Sequence, residues 1–335
     1  MIKIVRIGID LNNIFIIGTP LQLLNAIEAA EHFKLENNIL IIVHRSLEAN
    51  RVQIDQIRSL YKWKEIIDIE YSKNSSLLKY VSLVKYLKKS VYKYIFISKL
   101  EVVPKIILAN VQKEKVFLLD DGIMTISLYE NNIKKGKINK YNFKELRFLF
   151  FGLKIKIKDK INLFTYFDLE PTNGIQIVKN ELNFLKDKYL KGASFDSSNI
   201  YFLGHPSTRY ITDDKYVESI HNLVKNSTKK VIYIPHRGES QKLKSLICSM
   251  DSPNFSVIDI NMPVELYFLE NKIYPTNVVA YFSTALITLK RIYSDCEISF
   301  IPISLDNDFN NILKNIYDIF NKENLKRLNV RKMNE

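Results

Sequence analysis

Asp120, Asp121 and Gly122 follow directly on the apolar run Val116–Leu119, so two adjacent carboxyls leave an extended segment at a residue that permits a tight turn. Neighbouring side chains on a strand point to opposite faces, so the two acids should not share one role. One should face a cleft, where partial burial and a like charge nearby raise a carboxylate pKa toward the range a general base needs near neutral pH. The same pattern also fits a turn in which an Asp caps the next helix.

His236 closes the run Val231–Pro235 and precedes Arg237, Gly238 and Glu239. A histidine in that place can donate a proton to a departing phosphate or hold its charge. His205, in Leu203-Gly204-His205-Pro206-Ser207, follows a strand in the same way, and local chemistry does not separate the two; each also fits a purely structural role. His32 and His221 fall within helical stretches and His44 ends an N-terminal strand. Ser283 and Thr284 sit where a strand gives way to a helix. Free backbone amides and the helix dipole favour a phosphate there, although a Ser/Thr N-cap explains one of the hydroxyls. Glu265, in the first turn of a helix opened by Pro263, suits ribose hydroxyls or simply the helix dipole.

The elements that must position these groups are short apolar runs alternating with amphipathic stretches, the pattern of parallel sheets with crossover helices. Predicted strands are Ile14–Ile17, Ile39–Val43, Ile66–Ile69, Tyr94–Ile97 and Val116–Leu119. A second series is Ile200–Leu203, Val231–Ile234, Phe255–Ile258, Asn277–Tyr281 and Ile298–Ile301. Two units of similar size suggest two Rossmann-like domains with a cleft between them. Ligands bind beyond the carboxyl ends of such strands, where four places stand out: Gly18-Thr19-Pro20-Leu21-Gln22, Asp120-Asp121-Gly122, His236-Arg237-Gly238-Glu239 and Phe282-Ser283-Thr284. Residues 132–198 break the alternation, carry the densest basic residues, and read as an insertion plus the interdomain connection.

The chain of 335 residues is 47% hydrophobic and 25% charged, ample for two cores. Two cysteines, Cys248 and Cys296, make neither a disulfide scaffold nor a metal-ligand spacing and fit a reducing compartment. Neither a signal peptide nor a membrane-spanning run is recognisable, so the cytoplasm is the expected location. A net charge of +13 calls for an anionic partner, and no nucleic-acid motif accompanies it. Between Lys134 and Lys160 the basic residues surround Phe148-Leu149-Phe150-Phe151, a combination that fits an anionic membrane surface or, equally, a core cluster.

The order of these motifs carries a resemblance. The segment Ile14–Ala26 resembles the opening strand and helix of bacterial sialyltransferases of glycosyltransferase family 52 and of the related polysialyltransferase group. Asp120-Asp121-Gly122 resembles their acidic-acidic-Gly motif, which implies that Asp121 is the general base. Tyr233-Ile234-Pro235-His236 is similar to the segment with their His-Pro motif, with Arg237 where the family has proline. That likeness favours His236 over His205 as general acid and phosphate ligand, because Phe202-Leu203-Gly204 resembles the strand that opens the second domain. Pro263-Val264-Glu265 implies a cytidine ribose contact through Glu265, and Ser283-Thr284 implies a CMP phosphate site. Thr19 and Gln22 join this donor-binding set by the same likeness; Asp120, Gly122, Arg237 and His205 remain further candidates.

The two strand series and the stretch that connects them predict an α/β protein in a GT-B arrangement of two Rossmann-like domains, with an N-terminal domain over 1–170, a connection over 171–198 and a C-terminal domain over 199–335. The resemblance implies inverting transfer of sialic acid from CMP-sialic acid to a glycan acceptor of the bacterial surface, lipooligosaccharide or capsule, in first line α-2,3 to galactose. Polysialyl transfer, a GT-B enzyme with another nucleotide sugar, and a non-enzymatic polyanion-binding module are the alternatives. No cofactor is expected. No metal is required either, since the chain lacks an Asp-x-Asp pair at these positions and CMP carries one phosphate. Expected partners are CMP-sialic acid, the glycan acceptor, an anionic membrane surface at the inner face of the cytoplasmic membrane and, in one alternative, a second copy as a homodimer; nucleic acid is not among them.

Overall fold

The computed structural model describes residues 11–45, 48–71, 76–141, 143–172, 174–206, 210–303 and 309–329. The chain divides into two compact units, one closing at Phe184 and the next opening at Leu185. In the first unit the strands are β1 (Asn12–Ile17), β2 (Asn38–His44), β3 (Glu65–Glu70), β4 (Val91–Ile97), β5 (Gln112–Leu119), β6 (Ile161–Thr165) and β7 (Ile177–Lys179). They form one parallel sheet in the order β3-β2-β1-β4-β5-β6-β7. The order reverses between β1 and β4, which opens a crevice at the carboxyl ends of those two strands.

β1, β2 and β6 are buried almost throughout, as parallel strands covered on both faces must be. On one face Ile14, Ile16, Ile95 and Ile97 join a single aliphatic cluster. On the other, Phe15 stacks on Phe96 with centroids 4.4 Å apart, and Phe96 on Phe117 at 5.5 Å. Phe33, which follows the helix Pro20–His32, closes on this row at 5.1 Å from Phe117. Each such aromatic pair adds ~0.5–1.5 kcal/mol beyond its buried area, which fixes the register of β1, β4 and β5 against the helix.

The second unit holds β8 (Ser194–Asp196), β9 (Asn199–Leu203), β10 (Lys230–Ile234), β11 (Phe255–Val257), β12 (Ile273–Pro275), β13 (Asn277–Ala280), β14 (Glu297–Phe300) and β15 (Lys326–Arg327). Its main sheet is also parallel, in the order β11-β10-β9-β13-β14-β15, while β8 and β12 pair separately. Here the reversal lies between β9 and β13.

One sequence expectation needs correction. Residues 132–198 are not merely an insertion and connection, because β6 and β7 extend the first sheet from five strands to seven. β6 pairs directly with β5, Val116 opposite Ile161, so the chain between them is an excursion that returns to the sheet. Within it the Phe148–Phe151 cluster divides: Phe148 is buried, while Leu149 and Phe150 are exposed.

Candidate active site

In the first unit the site grows from the ends of β1, β4 and β5. Thr19 caps the helix that begins with Pro20, its hydroxyl accepting from the Gln22 amide at 3.4 Å, and proline at the first helical position lacks the N–H that would otherwise go unpaired. This fixes Gln22, which is 2% exposed and accepts from the Gly18 amide at 2.7 Å through Oε1. Its Nε2 donates to Asp121 Oδ1. Lys99, just beyond β4, reaches the other oxygen of Asp121 at 3.0 Å.

The acid turn separates its two carboxyls as the strand geometry requires. Asp120 is fully buried and accepts from Thr165 Oγ1 at 2.7 Å and from the Tyr166 amide at 2.9 Å. Burial pushes its pKa up to about 7 despite those donors. Asp121 points the other way and keeps 19% of its side chain exposed. Burial raises its pKa too, opposed by the Lys99 charge and the Gln22 hydrogen bond. Gly122 has φ of +68°, a left-handed conformation that a β-carbon would strain, and the Asp121 amide is taken up by Thr125 Oγ1 at 2.7 Å. Gln22 and Lys99 both line a cleft of about 400 Å³ at the β1–β4 reversal, which Arg45, Glu101, Lys105 and Glu145 also line.

In the second unit the carboxyl ends of β9, β10 and β13 bring together His205, His236 and the Ser283–Thr284 turn. The His205 ring lies 4.2 Å from that of Phe282 and 6.5 Å from that of His236, centroid to centroid. The His236 amide donates to Glu239 Oε1 at 2.9 Å, and its Nδ1 accepts from the Gly238 amide at 3.0 Å. An Nδ1 that accepts leaves the ring proton on Nε2, so His236 presents an Nε2–H donor. Burial, with Arg237 adding to it, lowers the pKa to about 3, and the ring is neutral at pH 7. Burial likewise lowers His205 to about 4, and its Nδ1 is buried without a hydrogen-bond partner.

Ser283 Oγ accepts from the Ala285 amide at 3.3 Å, and Thr284 occupies the N-cap of the helix Ala285–Ile292 without a side-chain capping bond. Glu265, in the first turn of the helix Val264–Glu270, is buried and accepts from Thr288 Oγ1 at 2.5 Å. It is tied one turn into the helix that Ser283 and Thr284 open. Burial raises its pKa, and the Arg237 charge acts against that rise. Ser207, the last residue of the His205 motif, lies outside the described residues. Among the described residues no group of three or more His, Cys, Asp or Glu side chains is arranged to hold a metal ion.

Sequence reasoning did not single out Lys99 or the network behind His236. Tyr216 and Tyr233 hydroxyls lie 3.2 Å apart, Tyr233 donates to Glu239 Oε1 at 2.9 Å, and Glu239 Oε2 is buried without a hydrogen-bond partner. Burial raises Glu239 to about 7. Gly204 packs against this network so closely that a β-carbon would come within 2.1 Å of Glu239 Oε1 and 2.7 Å of the His236 amide. A glycine between a strand and a histidine was the readable signal.

A sequence profile of the alpha-2,8-polysialyltransferase (POLYST) family matches residues 13–301. No curated protein matches the chain. Among solved structures, UDP-GlcNAc 2-epimerase from Methanocaldococcus jannaschii aligns at 12% identity over 91% of this chain and 87% of that one, with a TM-score of 0.52. Arabidopsis thaliana UGT89C1, complexed with UDP-L-rhamnose, aligns at 12% identity over 96% and 88%, with a TM-score of 0.51. At such identity the likeness shows the fold alone, an α/β fold of parallel sheets of the GT-B class.

Proposed function

From the premise that the chain belongs to the alpha-2,8-polysialyltransferase family, and is a glycosyltransferase, we propose that it moves sialic acid from CMP-sialic acid onto a sialylated glycan through α-2,8 links. The family's description favours this acceptor over the galactose expected from the motifs. The observation that carries the chemistry is the Asp121 carboxylate, held by Gln22 and Lys99, both of which line the first-unit cleft.

In a direct displacement the acceptor hydroxyl oxygen bonds to the anomeric carbon as its proton passes to Asp121. The bond from that carbon to the phosphate oxygen breaks, and CMP leaves with the electron pair. Two fixed contacts leave Asp121 little rotamer freedom to lose, and its raised pKa strengthens it as a base. His236 meets the phosphate as a neutral Nε2–H donor, and its low proton affinity is a reason to assign it charge stabilisation rather than a standing positive charge. Ser283 and Thr284 add hydroxyls beside a helix N-terminus, and Glu265 is assigned to the ribose. With those donors for a single phosphate, turnover is proposed to need no divalent ion.

The test incubates the protein with CMP-sialic acid, UDP-sugars and GDP-sugars in turn, each with an oligosialylated and a galactose-terminated acceptor, and measures nucleotide release. CMP release stimulated by the sialylated acceptor and insensitive to excess EDTA is the expected result. Release from a UDP- or GDP-sugar alone would overturn the donor, and preference for the galactose acceptor would overturn the linkage.

A further inference from the structure

Residues 143–151 form two short helical turns on the first unit, Phe143–Leu146 and Arg147–Phe151. One side of them is anchored. Glu145 is 2% exposed and pairs with Lys105 at 3.0 Å, and Phe148 is buried in the aliphatic cluster. The other side is bare: Phe143 is 88% exposed and Phe150 89%, with Leu146 and Leu149 exposed beside them. Single exposed apolar residues are ordinary, but two bare phenylalanine rings and two leucines within eight residues of anchored chain form a patch.

The surroundings of the patch are basic. From Lys134 to Lys160 the chain carries nine lysines and Arg147 against two acids, Glu145 and Asp159. Both acids are paired elsewhere, Glu145 with Lys105 and Asp159 with Lys113 at 2.6 Å. After the patch Lys154, Lys156 and Lys158 are all exposed, alternating with buried Leu153 and Ile157.

We propose that this face docks on an anionic membrane surface, with Phe143 and Phe150 seated among the headgroups and the lysines on their phosphates. Charge decides the occupant: a second copy brought to the same patch would set one set of lysines against another. Glu145 and Lys105 also line the first-unit cleft, so the patch is the outer side of a cleft wall and docking sets that cleft beside the bilayer. Acceptors carried on lipid are then favoured over free ones, a consequence that rests on the transferase reading, whereas docking itself does not.

The full chain is sedimented with vesicles of phosphatidylglycerol and phosphatidylcholine, or of phosphatidylcholine alone, at low and high salt. Binding to the anionic vesicles, weakened by salt, is expected. Phe143→Ser with Phe150→Ser lowers partitioning roughly tenfold or more. Lys154→Glu, Lys156→Glu and Lys158→Glu together lower it on the order of 10²-fold at low salt. Both variants keep the parent's CMP release with a soluble acceptor, and absence of any such release in the parent would sink the function while leaving the vesicle result to judge docking. Equal binding by the double serine variant, no binding to anionic vesicles, or a parent dimer abolished by the serines would overturn the proposal.

Discussion

Replacing Lys99 with methionine tests whether Asp121 works as a base tuned by its neighbour. Lys99 Nζ stands 3.0 Å from Asp121 Oδ2, with 31% and 19% of the two side chains exposed. At that separation Coulomb's law gives ~1.4 kcal/mol in a water-like dielectric and ~5.5 kcal/mol at an effective dielectric of 20. Partial exposure of both groups favours the lower part of that range, and because the Lys99 charge holds the Asp121 pKa down against burial, loss of Lys99 raises it. The sign follows from the chemistry. The base acts as carboxylate, activity rises with pH through its pKa, and a higher pKa moves the acidic limb of kcat to higher pH. Lys99→Met therefore loses proportionally more turnover near pH 6 than near pH 8, whereas Asp121→Asn lowers kcat on the order of 10²-fold or more at every pH, with little change in CMP affinity. CMP release measured across pH at saturating donor reads both. An acidic limb that stays in place in Lys99→Met would falsify the tuning, and an active Asp121→Asn would remove Asp121 from the chemistry.

Three further outcomes are expected. His236→Ala weakens both turnover and CMP binding, measured by calorimetry, while His205→Ala retains most activity; the reverse pattern assigns the phosphate site to His205. Gly204→Ala displaces Glu239 or the His236 amide and destabilises the second unit by about 1–3 kcal/mol, read as a lower urea midpoint, and an unchanged midpoint contradicts the close packing. Asp120, with its pKa raised to about 7, keeps a proton in the folded state that the unfolded chain has already lost. Its contribution is therefore greatest below about pH 4 and is lost as pH rises toward about 7, by up to ~1.4 kcal/mol per pH unit. Asp120→Asn should flatten that slope in urea melts, and an unaltered slope would place the titration elsewhere.

Most of the fold was legible because parallel strands buried on both faces print as continuous apolar runs: all ten strands read from the sequence are present within a few residues. β6 was missed although Ile161–Thr165 is such a run, because its basic surroundings masked it. β7 has three residues and β15 two, too few to show any period. In the site, the acid pair was visible, since an acidic turn after an apolar run is a local pattern. Which acid turns outward depends on Thr165 and Tyr166, more than forty residues away, and on Lys99, brought in by the β4–β5 pairing. The neutral His236 ring depends on the Gly238 amide and on burial, which no spacing reveals.

The direct pairing of β5 with β6 bears on how this chain can vary. Thr165 and Tyr166, which hold Asp120, are set by that pairing, and Gln22 and Lys99, which hold Asp121, lie before the excursion begins. Among the described residues between about 130 and 160, none holds either carboxyl by a hydrogen bond or ion pair. Closing a longer loop there costs only ~0.6 kcal/mol for each doubling of its length. Descendants of this sequence can therefore lengthen, shorten or exchange the exposed turns of that excursion, between the buried anchors Ile133, Phe148, Leu153 and Ile157, and with them whatever the protein lands on, while the proton-accepting turn is inherited unaltered.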